Sequence, residues 1–259
     1  MLRFIHISDT HIGSSTDFYL YGRNTCNNAK NMIAFLNNDL PFTPDFVLHT
    51  GDVTNTPDEE SAQLAAQVMS ELKYPVYYVC GNHDGRSNLR QYLMQQPPTE
   101  DYLFYDFTLD DFHFLVLDTR SDIDPQGFVS HNQLTWLAEK LETSAARSVC
   151  LIVHHLPLKI YIDWHDKDMR IMNDDELFAV LRPYRERLRG VFFGHIHRAF
   201  TGFRDGILCA SAPSTFMQFH AYPELKKASF DTTTQPGYSI VSLTHSETFV
   251  AYHTIQEKR

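Results

Sequence analysis

Cysteine is scarce in this sequence: four residues in 259, at positions 26, 80, 150 and 209, with no Cys-x-x-Cys pair. That spacing excludes a disulfide framework and a thiolate metal site, and leaves reduced, buried, small apolar residues. Positive charge is also short. Twenty-two Lys and Arg face 32 Asp and Glu, for a net charge of −10 and a pI near 5.7, so the electrostatic footprint of a general nucleic-acid binder is missing. Bound divalent cations would offset several of these charges locally, so the acidic balance leaves room for a positive site. No apolar run approaches the roughly 20 residues of a membrane span. The opening stretch, residues 1–9, turns polar too soon for a secretory signal, and a cytoplasmic protein with no membrane partner is expected. No Gly/Ser-rich or Pro-rich linker and no repeat divides the chain, so residues 1–259 are expected to form one domain.

What is present is an alternation of strand-like and helix-like segments. Strands are expected at 3–8, 45–49 and 74–79, separated by a helix over 25–38 and one opening on the acidic turn 57–60, with Leu64, Ala65, Val68, Met69 and Leu72 at helical spacing. A short helix near 87–94 precedes two runs, 102–109 and 112–118, that read as a hairpin. Helix 131–141, strand 148–153, helix 174–181 and strand 190–193 follow. Four further runs, 200–203, 207–210, 238–243 and 248–253, read as a C-terminal antiparallel strand run. Between them lies a long irregular stretch, 213–237, whose Phe216, Phe219, Tyr222 and Phe230 argue against disorder. The fold class is thus α/β, with helices covering mixed sheets.

Fourteen histidines matter because of where they fall. Five apolar strands end in polar clusters: Asp9-Thr10-His11, Gly51-Asp52, Gly81-Asn82-His83-Asp84, His154-His155 and Gly194-His195-Ile196-His197. Side chains from several strand-to-helix loops converge at the carboxyl ends of an α/β sheet. The residue types suit borderline metals such as Mn, Fe, Zn or Co. In Asp9-x-His11 and His195-x-His197 the two-residue spacing lets both side chains project to one side. The glycines before Asp52, Asn82 and His195 would let the backbone turn sharply under the ions. Each cluster alone is more often a turn; five together, each after an apolar strand, point to a metal site.

Asp9-x-His11, Gly51-Asp52, Gly81-Asn82-His83-Asp84, His154 and Gly194-His195-x-His197 resemble, in order, the signature of the calcineurin-like metallophosphoesterases. The likeness runs over about residues 2–212. With His154-His155-Leu156-Pro157, Ser211-Ala212-Pro213-Ser214 and the overall length, the chain is similar to the bacterial branch of class III cyclic nucleotide phosphodiesterases and glycerophosphodiesterases. The resemblance implies a sandwich of two mixed β-sheets flanked by helices, and two divalent ions. Asp9, His11, Asp52 and His197 would hold one, and Asp52, Asn82, His154 and His195 the other. It implies hydrolysis of a small phosphodiester by hydroxide generated at the metals. His83 would donate to a phosphoryl oxygen or to the leaving group, and Asp84 would orient His83 or a neighbouring loop. A homodimer or higher homo-oligomer is also implied.

Other residues are open to two readings. His6 and His49, inside strands, read as packed. His155 points away from His154 by strand alternation and could support the site, contact substrate or simply pack. Arg23 could meet a phosphate but is equally an exposed arginine. Tyr161, Trp164, Phe216 and Phe219 could stack on a nucleobase or belong to the core. Asn82 and His83 are the remaining candidates for substrate contact. The rival functions are a phosphomonoesterase, a nuclease, against which the acidic charge counts, and a non-catalytic binding module, against which the full set of candidate ligands counts. The 213–237 stretch is expected to be a cap over the site or an oligomer contact.

Overall fold

The computed structural model describes residues 1–255. In chain order its main elements are strand β1 (Leu2–Ile7), helix α1 (Thr25–Asn38), β2 (Phe46–His49), α2 (Glu59–Met69), β3 (Val76–Tyr78), β4 (Tyr105–Leu109), β5 (Phe112–Val116), α3 (His131–Thr143) and β6 (Ser148–Ile152). There follow α4 (Asp163–Asp168), α5 (Asp174–Leu181), β7 (Leu188–Phe193), β8 (Phe200–Arg204), β9 (Ile207–Ser211), β10 (Gly237–Leu243) and β11 (Thr248–Thr254). Polar residues start the helices: Asn24 accepts from Asn27 N at 2.8 Å, and Asp58 from Ser61 N at 2.7 Å, each satisfying a backbone donor at a helix N-terminus.

Two mixed sheets stack as a sandwich. The first has the order β11-β10-β1-β2-β3, with β1, β2 and β3 parallel and β10 and β11 antiparallel to their neighbours. The second has the order β8-β9-β7-β6-β5-β4, parallel from β9 through β5 and antiparallel at both margins. All four strands of the expected C-terminal run are present. They divide between the sheets, β8 and β9 extending the second and β10 and β11 returning to the first.

Strand alternation explains the layering. Leu2, Phe4, Phe46, Leu48, Cys150, Ile152 and Phe192 face the space between the sheets with Phe114, and the rings there interlock: Phe4 stacks on Phe46 at 4.8 Å and meets Phe192 edge-on at 5.4 Å. Ile5, Ile7 and Val47 turn outward to pack under α1 and α2. Val149, Leu151, Val191 and Phe193 turn outward beneath α3 and α5. Because both faces of the central strands are buried, their sequences read as continuous apolar runs, and their polar residues are confined to the ends.

Smaller differences from expectation have local causes. The helix near 87–94 is a single turn, Arg86–Asn88, that widens into Leu89–Leu93. Helix α4 lacks a long amphipathic pattern and carries no sequence signal. The 213–237 stretch is mostly irregular but contains a two-residue pairing, Gln218–Phe219 with Phe230–Asp231.

Candidate metal centre

The carboxyl ends of β1, β2, β3, β6 and β7 meet at one edge of the sandwich, and all seven expected ligands gather there. Ligand atoms of Asp9, His11, Asp52 and His197 lie within 4.8 Å of one another, and all four residues are buried. A second group converges on His154 Nε2: Asn82 Oδ1 and His195 Nδ1 each at 3.1 Å, and Asp52 Oδ2 at 3.4 Å. Asp52 Oδ2 also lies 3.6 Å from His11 Nε2, so this carboxylate stands between the two groups.

Backbone carbonyls set the tautomers. His154 Nδ1 donates to Thr50 O at 2.7 Å, His197 Nδ1 to Met217 O at 3.1 Å and His195 Nε2 to Pro125 O at 3.0 Å. Each donation leaves the other ring nitrogen with a lone pair facing the cluster, which is the orientation a metal-binding imidazole needs. Asn82 is aimed likewise, because its Nδ2 donates to Asp124 Oδ1 at 2.8 Å and turns the amide oxygen toward His154. In the second group an amide oxygen, a carboxylate and two imidazole lone pairs therefore converge with no donor between them. That donor set fits a cation.

The electrostatics mark the same point. Burial favours the neutral ring of His154, yet the Asp52 carboxylate overrides it and raises the group to about 9, so a cation at Nε2 would replace a proton there. Burial opposes ionisation of Asp52 too, but His154 and His83 hold it well below the usual carboxylate range. Asp9 is raised to about 7, by burial above all and also by the neighbouring Asp52 charge. His11 and His195 are pushed well below the ordinary imidazole value, and His197 to about 3, chiefly by burial, so each ring is neutral and keeps one nitrogen lone pair for a metal.

The turns that present these groups are made by the ligands themselves. Asp9, His11, Asp52, His195 and His197 have φ of 56, 46, 52, 68 and 43°, in the left-handed region. Asp and His tolerate it better than most side chains, and strain of this kind collects at functional sites. Of the three glycines expected to turn the chain, only Gly51 has positive φ, at 99°. Gly81 and Gly194 instead permit close approach: a Cβ at 81 would overlap the Asp52 carboxylate, and one at 194 the Ser8 hydroxyl.

The remaining candidates divide. His83 lines the cleft beside the cluster, its ring edge-on to His11 at 4.7 Å. Its Nδ1 bonds Asn55 O at 2.7 Å, and its backbone N–H donates to Asp52 Oδ1 at 2.9 Å. Asp84 does not touch the His83 ring. It accepts from Thr54 N at 2.9 Å, Thr54 Oγ1 at 3.0 Å and Gly81 N at 3.0 Å, and so ties together the loops carrying Asp52 and Asn82. Phe216 lines the cleft and packs edge-on to His11 at 5.3 Å. His155 is fully buried, with Nδ1 2.7 Å from Thr119 Oγ1. Arg23 reaches Thr232 O at 3.5 Å and so joins the 213–237 segment, away from the cluster. Tyr161 is 80% exposed and lies outside the cleft, whereas Trp164 and Phe219 line it. His6 and His49 are packed, bonded to Thr50 and Thr10.

Asp124 and Pro125 are functional residues that the sequence reading missed. They lie beyond β5, a sixth strand whose run ends in Asp118, and that ending was the available signal. The cleft itself is about 360 Å³, the size of a small-molecule site.

Comparison with known proteins agrees with this geometry. The family description calcineurin-like phosphoesterase matches residues 2–199. A glycerophosphodiester phosphodiesterase, GpdQ, from Enterobacter lignolyticus is 29% identical over 218 residues, covering 82% of this chain and 77% of that protein. The 3′,5′-cyclic adenosine monophosphate phosphodiesterase CpdA from Haemophilus influenzae is 27% identical over 251 residues, covering 95% and 87%. In fold the chain is similar to a dimetal phosphatase from Danio rerio, with a TM-score of 0.64, 17% identity and coverage of 96% and 98%. The chain belongs to the calcineurin-like phosphoesterase family and is a hydrolase of phosphoric esters.

Proposed function

We propose that this chain hydrolyses small phosphodiesters with two divalent cations held at the strand ends. Asp9, His11, Asp52 and His197 hold one ion and Asp52, Asn82, His154 and His195 the other. The observation that carries the reading is Asp52 Oδ2, at 3.6 Å from His11 Nε2 and 3.4 Å from His154 Nε2, which makes this carboxylate common to both ligand groups. The donor chemistry suits Mn, Fe, Zn or Co. When bound, the cations supply Lewis-acid polarisation of the phosphoryl oxygens and an acidified water for in-line attack.

The protein's own groups do the rest. His83 is the proton donor to the phosphoryl or leaving-group oxygen: Asn55 O occupies Nδ1 and leaves Nε2 for the cleft. Burial disfavours its imidazolium, but Asp52, the Asn55 carbonyl and Asp84 outweigh burial and raise its pKa above the ordinary imidazole value. The names of the relatives, phosphodiesterases of glycerophosphodiesters and of cyclic adenosine monophosphate, support a diester of that size. The 213–237 segment acts as a cap, since it contributes Phe216, Phe219, Lys227 and Phe230 to the cleft. Its Tyr222, 61% exposed, supports a second role in a homodimer contact, which sedimentation tests. Four free, buried cysteines support action in a reducing cytoplasm.

The test is reconstitution of purified protein with Mn or Fe and assay on bis(p-nitrophenyl) phosphate. Turnover is expected; none with either metal would sink the reading.

A further inference from the structure

Two ligands of the second group owe their aim to one loop. Between β5 and α3 the chain makes a strap, residues 119–128. Its tip supplies Asp124 Oδ1, which accepts from Asn82 Nδ2 at 2.8 Å, and the Pro125 carbonyl, which accepts from His195 Nε2 at 3.0 Å. The tip itself is not packed: Asp122, Ile123 and Asp124 are exposed. An exposed tip keeps its place only as well as its stems do.

Both stems meet on His155. They close on each other where Phe128 N donates to Thr119 O at 3.0 Å and Arg120 bridges Gly127. His155 touches each stem at that closure. Its Nδ1 lies 2.7 Å from Thr119 Oγ1, and its backbone N–H donates to the same oxygen at 3.3 Å. A Cβ on Gly127 would lie 2.6 Å from His155 Cβ and Cγ, so the second stem passes where only glycine fits. Gly127 is tied in turn to the segment 170–172, its N–H donating to Arg170 O at 3.1 Å and its carbonyl accepting from Met172 N at 2.8 Å. Packing alone would not call for an imidazole here. His155 is fully buried and closed to substrate, and among the described residues its Nε2 has no hydrogen-bond partner. A buried polar atom left in that state costs free energy that an apolar side chain would avoid, and the Thr119 bond is what the ring gains in return.

We propose that His155 is a positioning residue for the second ion: through Thr119 and Gly127 it anchors the strap that aims Asn82 and His195. The consequence for the ion rests on the two-ion reading, while the anchoring stands on the geometry of the chain. His155 is well placed for this role, its ring 4.5 Å from that of His195 and 4.9 Å from that of His154. Groups that orient metal ligands set affinity without joining the ligand set. One buried side chain thereby governs two ligands that come from different strand ends.

The experiment compares wild type with His155→Leu, His155→Asn and Thr119→Val by titration of the full chain with Mn and by amide hydrogen exchange at 126–128. Leucine keeps the bulk and loses Nδ1, asparagine returns a polar atom near the Nδ1 position, and valine removes the hydroxyl from the other partner. His155→Leu and Thr119→Val should weaken the second Mn about 10- to 100-fold, the usual effect of losing a group that orients ligands, and move the first less than about twofold. Exchange at 126–128 should rise about tenfold in the same two variants, because the strap opens more readily. His155→Asn should recover most of both properties. If His155→Leu does not fold, Thr119→Val carries the same comparison. Equal weakening of both ions, unchanged exchange at 126–128, or an asparagine variant no better than the leucine one overturns the inference. Faster exchange in His155→Leu and Thr119→Val, reversed by asparagine, in a chain that binds a single Mn or none sustains the anchor and rejects the two-ion reading.

Discussion

The strand ends and the cap wall meet in one cleft but are built in opposite ways. At the strand ends, backbone geometry comes first: five ligand residues adopt left-handed φ, carbonyls choose the tautomers, and every ligand but Asn82 is buried. In the cap wall, side chains come first. Phe219 and Phe230 are half-buried and are tied down by one ion pair and a few turn hydrogen bonds. The difference teaches a division of labour. On the proposed reading, the strand ends would fix which bond is broken and the 213–237 segment would select what is attached to it.

The comparison breaks hardest at the strand ends. Asp52→Ala removes the carboxylate common to both ligand groups, and diester hydrolysis should fall by about a thousandfold or more, corresponding to several kcal/mol of lost charge stabilisation; an Asp52→Ala protein within tenfold of wild type would refute the shared-ligand role. His83→Asn should lower kcat by about 10²–10⁴ with metal content unchanged, as measured by steady-state kinetics alongside elemental analysis. Loss of metal in that variant would make His83 a ligand instead. Asp124→Ala frees Asn82 to rotate, and affinity for the second ion should drop about 10- to 100-fold in a metal titration, with the first ion unaffected.

Effects in the cap should be smaller and confined to substrate binding. Asp231→Ala releases Arg198 and the turn at 233–234; KM for the diester should rise about fivefold, the scale of one ordinary hydrogen bond lost, with kcat held. A fall in kcat without change in KM would place Asp231 with the strand ends. Acid titration sharpens the same point. Thr233, Thr234 and Arg198 outweigh burial and hold the Asp231 carboxyl well below the usual range. A depressed folded pKa gives stability that is fully present above the unfolded value of about 3.9 and is lost as pH falls through the folded value. Between pH 5 and 8 the thermal stability of wild type and Asp231→Asn should therefore differ by a constant amount, and the gap should close only below about pH 4.

Legibility in the sequence follows the same division. The strands could be read because burial on both faces makes them unbroken apolar runs, and the ligands could be read because a run such as 190–193 stops abruptly at Gly194-His195. The family likeness supplied the partition between two ions, which no spacing alone dictates. Of the two expectations for Asp84, orienting His83 or a neighbouring loop, its bonds follow the second: Gly81 is local, whereas Thr54, 30 residues away, is brought close only by the fold. Asp124 and Pro125 escaped because the only pattern pointing to their loop is the strand run ending at Asp118, six residues before Asp124. Phe230 and Tyr21, 209 positions apart in the chain, meet only when the cap folds back over the 19–24 hairpin. Side-chain stacking between irregular segments leaves no periodicity to detect.

The central claim is that Asp52 belongs to two metal sites at once, and metal content measured by elemental analysis tests it most directly. After reconstitution with Mn the wild-type chain should retain about two ions, as a two-metal site requires, and Asp52→Ala should retain fewer than one. A wild type holding a single ion, or an Asp52→Ala protein still holding two, would contradict it.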